Sequence, residues 1–88
     1  MRVNVRLFAR LRDLAGAQEL VREAAPGATV ESVWAALAVE FPALAPYRSS
    51  LSAAVNAEYA KFGAVLADGD EVAFLPPVSG GSGRPLPE

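Results

Sequence analysis

A chain of 88 residues is enough for one compact domain with a modest core, and its 52% hydrophobic content separates it from disordered chains. The formal net charge is -2, with Lys61 the single lysine and the arginines scattered, so there is no basic field to gather nucleic acid. Cysteine and histidine are both absent, which excludes disulfides, thiolate zinc sites and any Ser-His-Asp or Cys-His catalysis within the chain.

The N-terminal run Met1 to Arg6 alternates and lacks the apolar core of a signal peptide. No apolar stretch is long enough to span a membrane, so a cytoplasmic protein without membrane contact is expected. Residues 2 to 8 read as a strand, with Val3, Val5 and Leu7 on the buried face and Arg2, Asn4 and Arg6 opposite. Phe8 falls on the polar side; it either packs under a neighbouring loop or belongs to a contact surface. Ala9 to Ala15 form a short helix carrying Leu11 and Leu14, ended by Gly16. Gln18 to Ala24 read as an edge strand.

Pro26-Gly27 is a turn, and Thr29 caps the main helix, with Glu31 in its first turn favoured by the helix dipole. Val30, Val33, Trp34, Leu37, Ala38 and Phe41 recur at spacings of three and four, and Pro42 stops the helix. On that stripe Trp34 is a core residue rather than a stacking platform. Ala43 to Ser50 connect, with one helical turn at most. Ser52 to Val55 and Glu58 to Lys61 are two short strands around a turn at Asn56-Ala57. Gly63 to Ala67 are loop. Asp68-Gly69-Asp70 turns into a last strand, Glu71 to Leu75; its carboxylates lack the ligand spacing of a calcium loop and read as a solvated turn. This order gives an α+β domain, a small mixed sheet with one main helix packed across one face.

The segment after the last strand, Pro76-Pro77-Val78-Ser79-Gly80-Gly81, differs from everything before it. Neither proline donates to a strand ladder, and both favour an extended course. The paired glycines offer a slim backbone that can enter a narrow tunnel, with a carbonyl carbon open to approach. The same composition also suits a plain flexible linker.

Ala54-Val55-Asn56, followed by Leu66-Ala67-Asp68-Gly69-Asp70-Glu71-Val72-Ala73-Phe74-Leu75-Pro76-Pro77-Val78-Ser79-Gly80-Gly81, resembles the small subunits of molybdopterin synthase, which are ubiquitin-like sulfur carriers. The opening Val5-Arg6-Leu7-Phe8-Ala9-Arg10-Leu11-Arg12-Asp13-Leu14-Ala15-Gly16 is similar to theirs as well, so the likeness covers residues 1 to 81. It implies a β-grasp domain over 1–75, a delivery arm over 76–81 and a tail over 82–88 that is disordered or removed. It also implies a mechanism. An E1-like adenylyltransferase uses ATP to activate the Gly81 carboxylate, and a sulfur donor converts the acyl-adenylate to a thiocarboxylate. The arm then enters the large subunit of molybdopterin synthase and delivers sulfur to a pyranopterin precursor in molybdenum cofactor biosynthesis. The chain itself would bind no cofactor or metal, and would be active only within that complex. Gly81 would be the reacting residue. Phe8, Phe74, Leu75, Pro76, Pro77, Val78, Ser79 and Gly80 would touch the partner. Phe74 and Leu75 alternate, one facing the core and the other a partner or a helix, and Leu75 and Phe8 are the expected principal contacts.

The chain departs from this pattern in continuing past Gly81 to Ser82-Gly83-Arg84-Pro85-Leu86-Pro87-Glu88. An amide at Gly81 cannot be adenylated. A trimming protease that removes the exposed tail is the favoured explanation; an inactive precursor or non-carrier relative, or a tail foreign to the natural chain, are the others. Two further functions stay open: another β-grasp sulfur carrier, for thiamin, cysteine or tRNA thiolation, and a ubiquitin-like modifier or interaction module.

Overall fold

The computed structural model of the chain describes residues 1–77. Five strands and two helices follow one another as β1 (Arg2–Leu7), α1 (Ala9–Ala15), β2 (Glu19–Glu23), α2 (Val30–Glu40), a 3-10 segment (Pro42–Ser50), β3 (Ser52–Val55), β4 (Glu58–Ala60) and β5 (Glu71–Leu75). The strands form one sheet in the order β2-β1-β5-β3-β4. β1 and β5 are parallel at its centre, and every other pairing is antiparallel. The expected α+β architecture is therefore present, with the last strand inserted beside the first.

Each element has a local cause. Val3, Val5 and Leu7 are fully or almost fully buried while Arg2 and Asn4 are exposed, the period of two expected of a half-buried strand. Gly16 ends α1 in a left-handed conformation, φ 75°, and its N–H bonds the Arg12 carbonyl at 2.9 Å. Thr29 caps α2 in a reciprocal box with Ser32, each side-chain oxygen accepting from the other residue's backbone N–H. Helix α2 lays Val30, Val33, Trp34 and Leu37 onto the sheet, where they meet Val72 and Phe74 of β5.

The connection after α2 is more ordered than the sequence suggested. It is a nine-residue 3-10 run that buries Leu44. Pro42 and Pro46 withhold the N–H groups that an α-helical ladder needs, so the segment keeps tighter i→i+3 bonds such as Leu44 N–H to the Phe41 carbonyl, 2.9 Å. Arg48 fastens this run to the rest of the fold. Its guanidinium pairs with both Glu31 oxygens and lies 3.7 Å from the centre of the Phe62 ring. That pairing holds the Glu31 carboxyl below its ordinary range.

Candidate functional site

The arm leaves the fold from the central strand. β5 is hydrogen-bonded on both sides, with Phe74 level with Leu7 of β1 and with Ala53 of β3, and Leu75 level with Ser52. A strand held on two sides gives its last residues a defined exit. Pro76 is half-buried and Pro77 exposed, so the described chain ends as it reaches solvent.

Alternation decides which side chains accompany it. Phe74 points inward and is 0% exposed, with its ring 5.0 Å from that of Trp34 and 6.2 Å from that of Phe62. The expectation that Phe74 touches a partner is therefore corrected: a side chain with no accessible surface anchors the strand from inside the core. Leu75 points to the opposite, helix-free face and is half-buried. In the parallel register β1 ends level with Phe74, which places Phe8 at the level of Leu75 on that same face. Phe8 is exposed, not packed under a loop, and the Arg6 guanidinium stands 5.5 Å from its ring centre.

The sheet adds a residue that sequence reading missed. Ala54 pairs with both Ala73 and Tyr59, and Arg6 pairs with both Ala73 and Glu19. One cross-strand row on the open face thus runs Glu19, Arg6, Ala73, Ala54, Tyr59. The two alanines make it low, and Tyr59 rises at its far end with 81% of its surface exposed. The tyrosine's place in a short strand after a two-residue turn was the available signal, but its neighbours are distant in sequence. Phe8, Leu75 and Tyr59 therefore stand on the same open face beside the arm, which also carries Arg6, set between Glu19 and Glu71 at 3.7 and 3.6 Å. Val78, Ser79, Gly80 and Gly81 lie outside the described residues.

The other end of β5 is tied down by polar groups. Arg2 N–H donates to Asp68 Oδ1 at 2.7 Å, and Gly69 N–H to the Arg2 carbonyl at 2.7 Å. Asp70 accepts from Ala67 N–H at 2.8 Å and from Asn56 Nδ2 at 3.0 Å, while Asn56 Oδ1 accepts from Glu71 N–H at 3.0 Å. The Ala67 amide first, and the Asn56 side chain second, hold the Asp70 carboxyl below its ordinary range. These carboxylates are committed to backbone and side-chain donors. Among the described residues no group of three or more potential ligands could hold a metal. A concavity of about 480 Å³ lies at the far end of the sheet between the Pro26-Gly27 turn and α2, bridged by the Arg22–Glu40 ion pair. It contains no nucleophile–base pair, and no helix of the described residues is long and apolar enough to cross a membrane.

Comparison with known proteins agrees with this geometry. The chain matches the ThiS family over residues 5–81. It is 42% identical over 81 residues to the molybdopterin synthase sulfur carrier subunit of Escherichia coli, covering 90% of this chain and 99% of that one. Its fold superposes on SAMP1, the small archaeal modifier protein 1 of Haloferax volcanii, with a TM-score of 0.83 at 32% identity, over 92% of this chain and all of that one. A chain from the protein–protein complex of subunits 1 and 2 of the molybdopterin-converting factor of Helicobacter pylori matches with a TM-score of 0.65 at 26% identity, over 92% of this chain and all of that one. The chain belongs to the ThiS family and has the ubiquitin-like β-grasp fold of its sulfur carriers.

Proposed function

We propose that this chain is the sulfur carrier subunit of a molybdopterin synthase, delivering sulfur from a thiocarboxylate on Gly81. The observation that carries the reading is the arm's setting: a proline-stiffened exit from the doubly paired central strand, in a chain 42% identical to such a carrier subunit. Once residues 82–88 are removed, the Gly81 carboxylate attacks ATP and expels pyrophosphate. The resulting acyl-adenylate has a good leaving group, and a donor's sulfur displaces AMP to leave the thiocarboxylate. The acid and base groups for the later transfer come from the large subunit, which suits a chain with no histidine. The large subunit docks on the face formed by Phe8, Leu75 and Tyr59, which lets the arm reach into its active site. The Helicobacter complex of two such subunits supports a two-chain assembly.

Intact mass of the protein taken from its own cells tests this. Loss of residues 82–88 followed by a gain of about 16 Da, one oxygen exchanged for sulfur, is expected. A chain that stays full-length in those cells, and that no E1-like partner activates with ATP after artificial trimming, would overturn the reading. The closeness of SAMP1 favours a second one, in which the same carboxylate is joined to a protein amine. That product appears as a higher-mass conjugate rather than a 16 Da shift.

A further inference from the structure

Six described residues have a left-handed backbone, and their identities divide by place. Gly16, Gly27 and Gly69 have φ of 75°, 86° and 87°, and no aromatic residue lies within two positions of any of them. The other three are Ala9 at φ 52°, Asn56 at φ 50° and Ala57 at φ 72°. Ala9 directly follows Phe8, and Ala57 stands two residues before Tyr59. Asparagine tolerates this conformation through its short polar side chain, but alanine has no such compensation, and its Cβ is strained there. The two strained alanines thus adjoin the two exposed aromatic residues of the open face.

At Ala9 the local geometry shows what the conformation does. Phe8 is extended, φ -119° and ψ 153°, so it continues the alternation of β1 and turns its ring to the open face. One residue later the chain is in α1, with Leu11 N–H bonded to the Phe8 carbonyl at 3.1 Å and Leu11 fully buried. Strand becomes helix across Ala9 alone. At Ala57 the hairpin reverses in two residues and sets Tyr59 opposite Ala54. Glycine would suit both conformations with less strain, but it would also free the backbone beside each ring.

We propose that Ala9 and Ala57 are positioning residues, which hold the rings of Phe8 and Tyr59 in their docking orientation by restricting the backbone where glycine would loosen it. The inference rests on the docking face proposed above. It predicts opposite signs for stability and binding. Ala9→Gly and Ala57→Gly leave the melting temperature unchanged or higher, because strain is relieved. Each weakens binding of the molybdopterin synthase large subunit from the same genome about two- to fivefold, the share expected from lost backbone restriction.

The test measures affinity and melting temperature for the full chain and for the chain ending at Gly81, which keeps every element of the described residues. Ala9→Gly in a Phe8→Ala background should cause no further loss of affinity, and likewise Ala57→Gly with Tyr59→Ala. A chemically synthesised chain with D-alanine at position 9, which prefers the left-handed conformation, should bind as the natural chain does. If Phe8→Ala and Tyr59→Ala weaken binding but the glycine variants do not, the inference fails and the docking face stands. If neither aromatic replacement changes affinity, both fall together.

Discussion

Phe74 and Leu75 are neighbours on one strand with opposite duties, and exchanging either separates folding from docking. Phe74→Ala removes a fully buried ring that meets both Trp34 and Phe62. Losses of this kind cost about 3–5 kcal/mol. A domain of this size has roughly 4–12 kcal/mol of net stability, so the variant gives up a quarter or more of it. At about 4–8 °C per kcal/mol, the melting temperature falls by about 12–40 °C. Leu75→Asp acts on a half-buried side chain of the helix-free face, level with Ser52. Its fold cost is about 1 kcal/mol, from lost strand preference and partial burial. In the docked state the same change removes about 1.5–3 kcal/mol of apolar burial and adds a desolvated charge. Affinity for the large subunit should therefore drop more than tenfold, which corresponds to about 1.4 kcal/mol. Thermal melts by circular dichroism read the first effect and titration calorimetry with the large subunit reads the second. If Phe74→Ala melts within about 5 °C of the natural chain, the inward assignment of β5 is wrong. Natural affinity in a folded Leu75→Asp variant would remove Leu75 from the docking face.

Thr29→Ala dismantles the capping box of α2 and should cost about 1 kcal/mol, read as a fall of about 4–8 °C in melting temperature. Arg48→Gln removes both the Glu31 pairing and the cation over Phe62, so the melting temperature should fall, by less at high salt because the ionic part is screened. The Asp70 carboxyl is held below its ordinary range, so its contribution is fully present above the unfolded-state value of about 3.9 and is lost as pH falls through the lower folded value. Asp70→Asn should be less stable than the natural chain at neutral pH, with the gap narrowing below about pH 4 in acid unfolding curves. A gap that stays constant down to the acid limit would show that the carboxylate's charge does not stabilise the Asn56–Ala67 node.

Much of the fold was legible in the chain because it rests on neighbours in sequence. The left-handed cap at Gly16, the cap at Thr29, the helix stop at Pro42 and the turn at Asn56-Ala57 each depend on a few adjacent residues. The 3-10 run was underestimated because its order comes from burying Leu44 and from Arg48 reaching Glu31, contacts between elements rather than within one. The direction of Phe74 and Leu75 could not be assigned for the same reason. Alternation shows that the two differ but not which face the helix covers. That choice is made by α2, whose Trp34 packs on Phe74.

The local pattern alone placed the strands and helices to within a residue, excluded Ser-His-Asp and Cys-His catalysis within the chain, and marked the Pro76 to Gly81 run as a candidate arm, since these follow from residue type and near spacing. Only the tertiary structure decided that this arm leaves from the centre of the sheet, and that Phe8, Leu75 and Tyr59 share the face beside it. The reason is the crossover topology. β5 pairs in parallel with β1 and antiparallel with β3, so Leu7, Phe74 and Ala53 are brought level by backbone ladders that no short-range spacing records.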